Sequence, residues 1–185
     1  MYRINEIFYS LQGEGLHVGM PAVFVRFSGC NLRCPFCDTD FAAFSEMTTE
    51  DIVARVQDLS PSTQTLVILT GGEPMLQVDQ PLLDALHRTG KNLCLETNGT
   101  LPVPDAIDFV TCSPKEGSRV VLTHADELKV VFCGQDVEHW AKTIAAPHNY
   151  LQPLSCSNTE AVVAYILQHP HWALSLQTHK LINIR

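Results

Sequence analysis

"LVILTGGEP", residues 66–74, runs through four apolar residues and then turns abruptly to threonine, two glycines and a glutamate. A strand with one wet face alternates apolar and polar residues. An unbroken apolar run fits a strand buried on both faces of a parallel sheet. Further runs of this kind lie at 22–27, 93–96, 109–112, 128–132, 149–152 and 173–177, most of them rich in Val, Leu and Phe.

Helices fit between several of these runs. Thr48 can cap a helix ending at Leu59, with Asp51 as its reciprocal partner. Asp79 can cap a second, with Pro81 in its first turn and Gly90 ending it. "NTEAVVAYILQH" predicts a third, capped by Asn158 or Thr159, and residues 137–144 a weaker one. The connections 97–108 and 113–127 are too short or too rich in proline and glycine for a full helix. The reading is an α/β chain, one domain over 1–185: a trimmed, partial TIM-like barrel of parallel strands with some crossover helices missing.

The polar residues cluster where those strands end. "SGCNLRC" follows the first run, "TGGEP" the second, "ETNG" the third, "SPK" the fourth, "QP" the sixth and "QTHK" the last. In α/β barrels the carboxyl ends of the strands carry the active site. Six clusters in register predict one large site on one rim.

Composition narrows the function classes. The chain has 185 residues, 45 % hydrophobic and 17 % charged, which suits a folded core. A net charge of −8 disfavours a nucleic-acid partner, because phosphate backbones demand clustered Lys and Arg. No apolar run is long enough for a membrane span, and the N-terminus lacks the features of a signal peptide. The chain reads as cytoplasmic, so its seven cysteines are expected as thiols. Cys94 and Cys112 sit in apolar runs and read as small buried hydrophobes.

Cys30, Cys34 and Cys37 are spaced C-x3-C-x2-C on one short loop. Thiolates bind zinc, or iron in iron–sulfur clusters. Structural zinc usually takes two close pairs, and only Cys34–Cys37 is close here. His17 could complete a zinc site. Alternatively, three cysteines suit a cubane with one iron left open, and an open position marks a catalytic metal.

With "TGGEP", this loop resembles the radical S-adenosylmethionine (SAM) superfamily. There three cysteines hold a 4Fe–4S cluster, SAM takes the open iron, and the GGE backbone meets the SAM amino group. Two glycines fit such a close approach of backbone to ligand. The resemblance sharpens with "EIFYSLQGEG", "RFSGCNLRCPFCDTDFA", "TGGEPMLQ", "ETNGTLPV", "SPK", "ELKVV" and "LSLQTHKLINIR". Together, over essentially the whole chain, these resemble the 7-carboxy-7-deazaguanine synthase family. Some members carry an insertion between the first two cysteines, which this chain lacks.

The resemblance implies conversion of 6-carboxy-5,6,7,8-tetrahydropterin to 7-carboxy-7-deazaguanine with loss of ammonia, in queuosine and related deazapurine biosynthesis. It implies a homodimer, SAM as a recycled cofactor, Mg2+, and an electron donor such as a flavodoxin or ferredoxin. Cys30, Cys34 and Cys37 would hold the cluster. Thr39 would meet Mg2+, although Asp38 and Asp40 look the better ligands by composition. Gly72, Ser113, Pro114, Lys115 and Gln152 match SAM positions, with Glu96 and Asn98 beside them. Leu11, Gln12, Gly13, Glu14 and Thr70 match substrate contacts, with His179 a further candidate. Arg26 lies on an apolar strand and needs a charged partner, which a substrate carboxylate would supply. The family's terminal carboxylate reaches the substrate, and here it belongs to Arg185.

Two other readings use part of this pattern. A glycyl-radical-type activating enzyme would share the cysteines and "GGEP" but act on a protein, and the "QGEG" and "QTHK" motifs argue against it. A zinc-binding module would use the cysteines alone.

Overall fold

A computed structural model describes residues 1–37 and 43–185, apart from the side chain of Cys156. Its strands are β1 (Tyr2–Leu11), β2 (Pro21–Phe27), β3 (Ser45–Met47), β4 (Leu66–Gly71), β5 (Leu93–Thr97), β6 (Phe109–Cys112), β7 (Glu127–Phe132), β8 (His148–Pro153) and β9 (Ala173–Leu174). The helices are α1 (Thr49–Leu59), α2 (Gln80–His87), α3 (Glu138–Thr143), α4 (Thr159–Gln168) and α5 (Thr178–Leu181). All nine strands form one sheet in the order β3-β1-β2-β4-β5-β6-β7-β8-β9. From β2 to β9 the pairing is parallel, while β1 and β3 are antiparallel additions at one edge.

Side-chain alternation divides each strand between two layers. Val23, Val25 and Phe27 of β2, Val67 and Leu69 of β4, and Leu93 and Leu95 of β5 pack with Ile52 and Val56 of α1 and Leu82, Leu83 and Leu86 of α2. Leu128 and Val130 of β7 and Leu151 of β8 pack with Trp140 of α3 and Val162 of α4. Each such buried side chain stabilises the fold by about 1.5–3 kcal/mol. The intervening positions face the barrel interior. Phe8, Phe24, Ile68 and Cys94 form an apolar floor there. One step further toward the carboxyl ends, the same period brings Arg26, Thr70 and Glu96.

The curled sheet brings its far ends together. Gly15 N–H donates to Ser175 Oγ at 3.0 Å. Thr178 N–H and Oγ–H both donate to Gly13 O at 2.9 Å. The loop after β1 is thereby tied to the segment after β9, giving the partial barrel expected from the sequence.

The capping box at Thr48 and Asp51 is present, and Asp79 caps α2 through Leu82 N–H. The expected strand at 173–177 is shorter: its ladder ends as Ser175 N–H meets Leu151 O, and the chain turns into α5. Asn158 holds the N-cap position of α4 but does not cap it. Its side chain instead accepts from Leu154 N–H and donates to Phe132 O, tying the turn after β8 to the end of β7.

Candidate active site

The carboxyl ends of the parallel strands surround a cavity of about 300 Å³. Of the described residues singled out from the sequence as site candidates, all but Pro114 and the alternative zinc ligand His17 line it. Pro114 is buried beneath its segment, while its neighbours Ser113 and Lys115 face the cavity. Thr39, with Asp38 and Asp40, lies outside the described residues.

The cysteine loop is fixed at its root. Gly72 N–H donates to Phe27 O at 3.1 Å and Glu73 N–H to Gly29 O at 3.0 Å. Gln77 Nε2 donates to Ser28 O at 2.7 Å. Asn98 Nδ2 donates to Asn31 Oδ1 at 3.0 Å, and Asn31 Nδ2 donates to Thr100 Oγ1 at 2.7 Å. Asn98 therefore braces the loop.

The paired glycines have a structural reason beyond ligand approach. A Cβ on Gly71 would lie 2.2 Å from Phe27 O, at a φ of +129° that only glycine adopts freely. A Cβ on Gly72 would lie 2.0 Å from Gly29 O and 2.9 Å from Cys30 Cβ. The end of β4 approaches the cysteine loop too closely for any side chain.

Glu73 is fully buried and holds the rim together. It accepts from Thr97 Oγ1 at 2.9 and 3.0 Å, from Asn98 N–H at 2.8 Å and from Met75 N–H at 3.0 Å. Burial pushes its carboxyl above the ordinary value, against those hydrogen bonds.

Cys30, Cys34 and Cys37 line the cavity, and none of them is in a disulfide. Among the described residues, no three His, Cys, Asp or Glu side chains converge closely enough for a single metal ion. His17 sits elsewhere, 4.0 Å from Cys94 Sγ and against the Phe109 ring, so it does not complete a zinc site with the loop. Three thiols around an open cavity suit a larger, multi-iron group better than one tetrahedral ion. Lys115 adds a cation near Cys34. Burial lowers its ammonium pKa, and it donates to Ser113 O at 2.5 Å and Ser113 Oγ at 2.7 Å.

The same cavity is lined by a network of carboxylates and amides. Lys129 Nζ donates to Glu14 Oε2 at 2.5 Å and to Glu96 Oε1 at 3.3 Å. Glu14 Oε1 accepts from Gln177 Nε2 at 2.9 Å and Gln152 Nε2 at 3.3 Å. Glu96 also accepts from Gln12 Nε2 at 3.1 Å and Thr70 Oγ1 at 2.8 Å. Burial raises the Glu14 carboxyl, but the Lys129 charge and the hydrogen bonds outweigh it and hold it below its ordinary value. Burial lowers the Lys129 ammonium, and Glu14 and Glu96 more than reverse this. Lys129 and Gln177 were missed as site residues in the sequence. The signal was present for Lys129, since a Lys inside "LKVVF" needs a buried partner just as Arg26 does.

Arg26 has a protein partner, its Nε donating to Glu6 Oε1 at 2.9 Å. Arg185 pairs with the other oxygen of Glu6, and both guanidinium groups lie over the Phe8 ring, at 5.8 and 5.0 Å. Ser10 Oγ–H donates to the Arg185 main-chain oxygen at 2.6 Å, docking the last residue on β1. His179 lies against Gly13, where a Cβ would meet its Nδ1 at 2.1 Å.

Comparison with known proteins agrees with this geometry. The Radical SAM superfamily profile matches residues 24–111. A 7-carboxy-7-deazaguanine synthase of Bacteroides thetaiotaomicron is 56 % identical over 185 residues, all of both chains. One of Burkholderia multivorans is 42 % identical over 208 aligned positions, 99 % of both chains. The crystal structure of QueE from Escherichia coli matches with a TM-score of 0.79 at 30 % identity, covering 95 % of this chain and 93 % of that one. Likeness of this degree, running from end to end, makes the chain a member of the 7-carboxy-7-deazaguanine synthase family within the radical SAM superfamily.

Proposed function

We propose that this chain is a radical SAM lyase that converts 6-carboxy-5,6,7,8-tetrahydropterin to 7-carboxy-7-deazaguanine with loss of ammonia, on the route to queuosine and related deazapurines. One observation carries this reading. The three cysteines and the joined "QGEG" and "QTHK" segments line one and the same cavity. The first is the apparatus of the superfamily, and the second is the part specific to this family.

When bound, the 4Fe–4S cluster and SAM would supply one-electron reduction and hydrogen-atom abstraction, and Mg2+, for which Thr39 would be a ligand, would supply charge neutralisation. The protein's work is to hold and orient. Cys30, Cys34 and Cys37 carry the cluster. Gly72, Ser113, Lys115 and Gln152 border the SAM side, with Asn98 acting through the cysteine loop. On the other wall Gln12, Glu14, Thr70 and Glu96 offer a dense set of donors and acceptors. Such a set suits a pterin edge, which mixes both. Leu11 and the Gly13 backbone complete that wall, with His179 packed on Gly13. Arg26 and Arg185 place two cations beside one carboxylate, Glu6. The cation in excess suits the substrate carboxylate.

One domain, 1–185, carries the whole activity in this reading, acting in the cytoplasm with a flavodoxin or ferredoxin as reductant. Among the described residues no helix is long and apolar enough to cross a membrane. The chain works as a homodimer, and the exposed Tyr9, Leu16, Val18, Ile182 and Ile184 are apolar surface that such pairing would cover.

The test is anaerobic incubation of the iron-loaded protein with SAM, dithionite and the carboxytetrahydropterin, with product read by mass spectrometry. A product of deazaguanine mass is expected. Cleavage of SAM without it would point to another radical SAM activity, and a colourless protein holding one zinc to the binding-module reading.

A further inference from the structure

Lys129 is the most deeply buried cation of the cavity wall, with its side chain 7 % exposed. It reaches the interior from β7, a strand whose alternate residues Leu128 and Val130 lie in the core behind it. Its ammonium bridges two carboxylates from distant parts of the chain, Glu14 after β1 and Glu96 on β5. Neither carboxylate meets another Lys or Arg among the described salt bridges. Their remaining partners, Gln12, Gln152, Gln177 and Thr70, are neutral.

We infer that Lys129 is a positioning residue: its ammonium fixes Glu14 and Glu96 as a charged acceptor pair against which the N–H edge of the bound ring is read. The inference rests on the pterin reading above. A 2-amino-4-oxo pyrimidine ring presents adjacent N–H donors, and an ionised carboxylate accepts from them where a protonated one would oppose them. Two carboxylates this close to one cation, with side chains 15 % and 25 % exposed, resist ionising together once that cation is gone. The charges that reach Glu14 are Lys129 from β7, His179 from α5 and Lys115 beyond β6; Glu96 from β5 and Glu127 from β7 share Lys129 with it, and Arg26 from β2 lines the same cavity. Lys129 is the one hydrogen-bonded to both carboxylates.

The consequence is a pH signature. With Lys129→Met, one carboxyl takes up a proton in the neutral range, and that proton must leave before the ring can bind. Affinity for the ring then rises with pH, by about tenfold per unit where one proton is released. In the unchanged protein the Lys129 charge and the hydrogen bonds already hold the Glu14 carboxyl below its ordinary value.

The test uses iron-loaded protein and 6-carboxypterin, a fluorescent aromatic analogue that cannot turn over. Its dissociation constant is measured from pH 6.5 to 8.5, as the ratio of variant to unchanged protein, so that the analogue's own titration cancels. For K129M the ratio should start high and fall as pH rises. For K129R, which keeps the charge, it should stay flat whatever its height, and for E14Q/K129M the slope should weaken. K129M removes a buried cation; should it fail to fold, K129R alone keeps the inference at risk. A flat ratio for folded K129M, or a sloped one for K129R, would overturn it. If the unchanged protein binds no pterin, it is the reaction assignment that fails.

Discussion

Replacing Gly72 with alanine tests whether the end of β4 holds the cysteine loop. The added methyl would lie 2.0 Å from Gly29 O, 2.5 Å from the Gly29 carbonyl carbon and 2.9 Å from Cys30 Cβ. Two of these three neighbours are backbone, so no rotamer change relieves the clash. The Gly72–Phe27 and Glu73–Gly29 hydrogen bonds, at 3.1 and 3.0 Å, must lengthen or break as the loop moves away. Overpacking of this kind costs about 1–3 kcal/mol. For a chain of this length about 2 kcal/mol corresponds to a fall in Tm of about 4–8 °C. The larger effect is on metal, because the displaced atoms are the Gly29 carbonyl, which leads directly into Cys30, and the Cys30 Cβ. Anaerobic reconstitution of Gly72→Ala should give iron and sulfide well below four each per chain. Gly134→Ala is the control. It meets nothing within 4 Å and has a φ of +89°, so it costs only the left-handed backbone, about 1–2 kcal/mol. Its iron content should be unchanged. Full iron loading of Gly72→Ala at the unchanged Tm would refute the reasoning.

Three further outcomes follow from the same geometry. Cys34→Ala should lose the cluster and turnover while keeping a soluble fold, whereas Cys94→Ala, a change on the apolar floor, should keep its iron; metal analysis of both separates ligand from packing residue. Glu14 has a folded-state pKa below its unfolded one, so its stabilising contribution is present above the unfolded value and is lost as pH falls through the folded value. The Tm difference between the unchanged protein and Glu14→Gln should therefore be full above about pH 4 and shrink as pH falls below it, and a difference that widens on acidification contradicts the assignment. Arg185→Ala removes a 69 % exposed guanidinium, so Tm should move little, by the equivalent of about 0.2–1 kcal/mol at most. KM for the carboxytetrahydropterin should rise, and an unchanged KM removes Arg185 from the carboxylate side of the cavity.

Much of this architecture is legible in the chain because burial writes itself into strand composition. The runs at 22–27, 66–70 and 93–96 are apolar on both faces, and the abrupt polar residues after them mark the rim. β1 is less legible: "YRINEIFYSL" mixes charged and apolar residues because it lies near the sheet edge with one face partly open. β3 has only three residues and little burial to signal it. The ending of β9 depends on Ser175 and Gln177 being drawn to Gly15, Gln152 and Glu14, contacts more than twenty residues away in sequence. At the site, motif spacing led to the cysteines and the rim residues but not to what connects them. Lys129 hides in an apolar strand, and the partner of Arg26 is Glu6, at the position of a β1 bulge. The glycine pair was read as room for a ligand, yet the nearest demand on its space is the cysteine loop itself. In the case of Lys129 and Arg26 a cation inside an apolar strand signals that a partner exists, but local composition does not say which distant residue it is.

The central claim is most directly tested by counting products. Under anaerobic turnover, deazaguanine and ammonia should appear one for one while most SAM is recovered intact. Stoichiometric loss of SAM, or ammonia without a deazaguanine of the expected mass, would contradict the account.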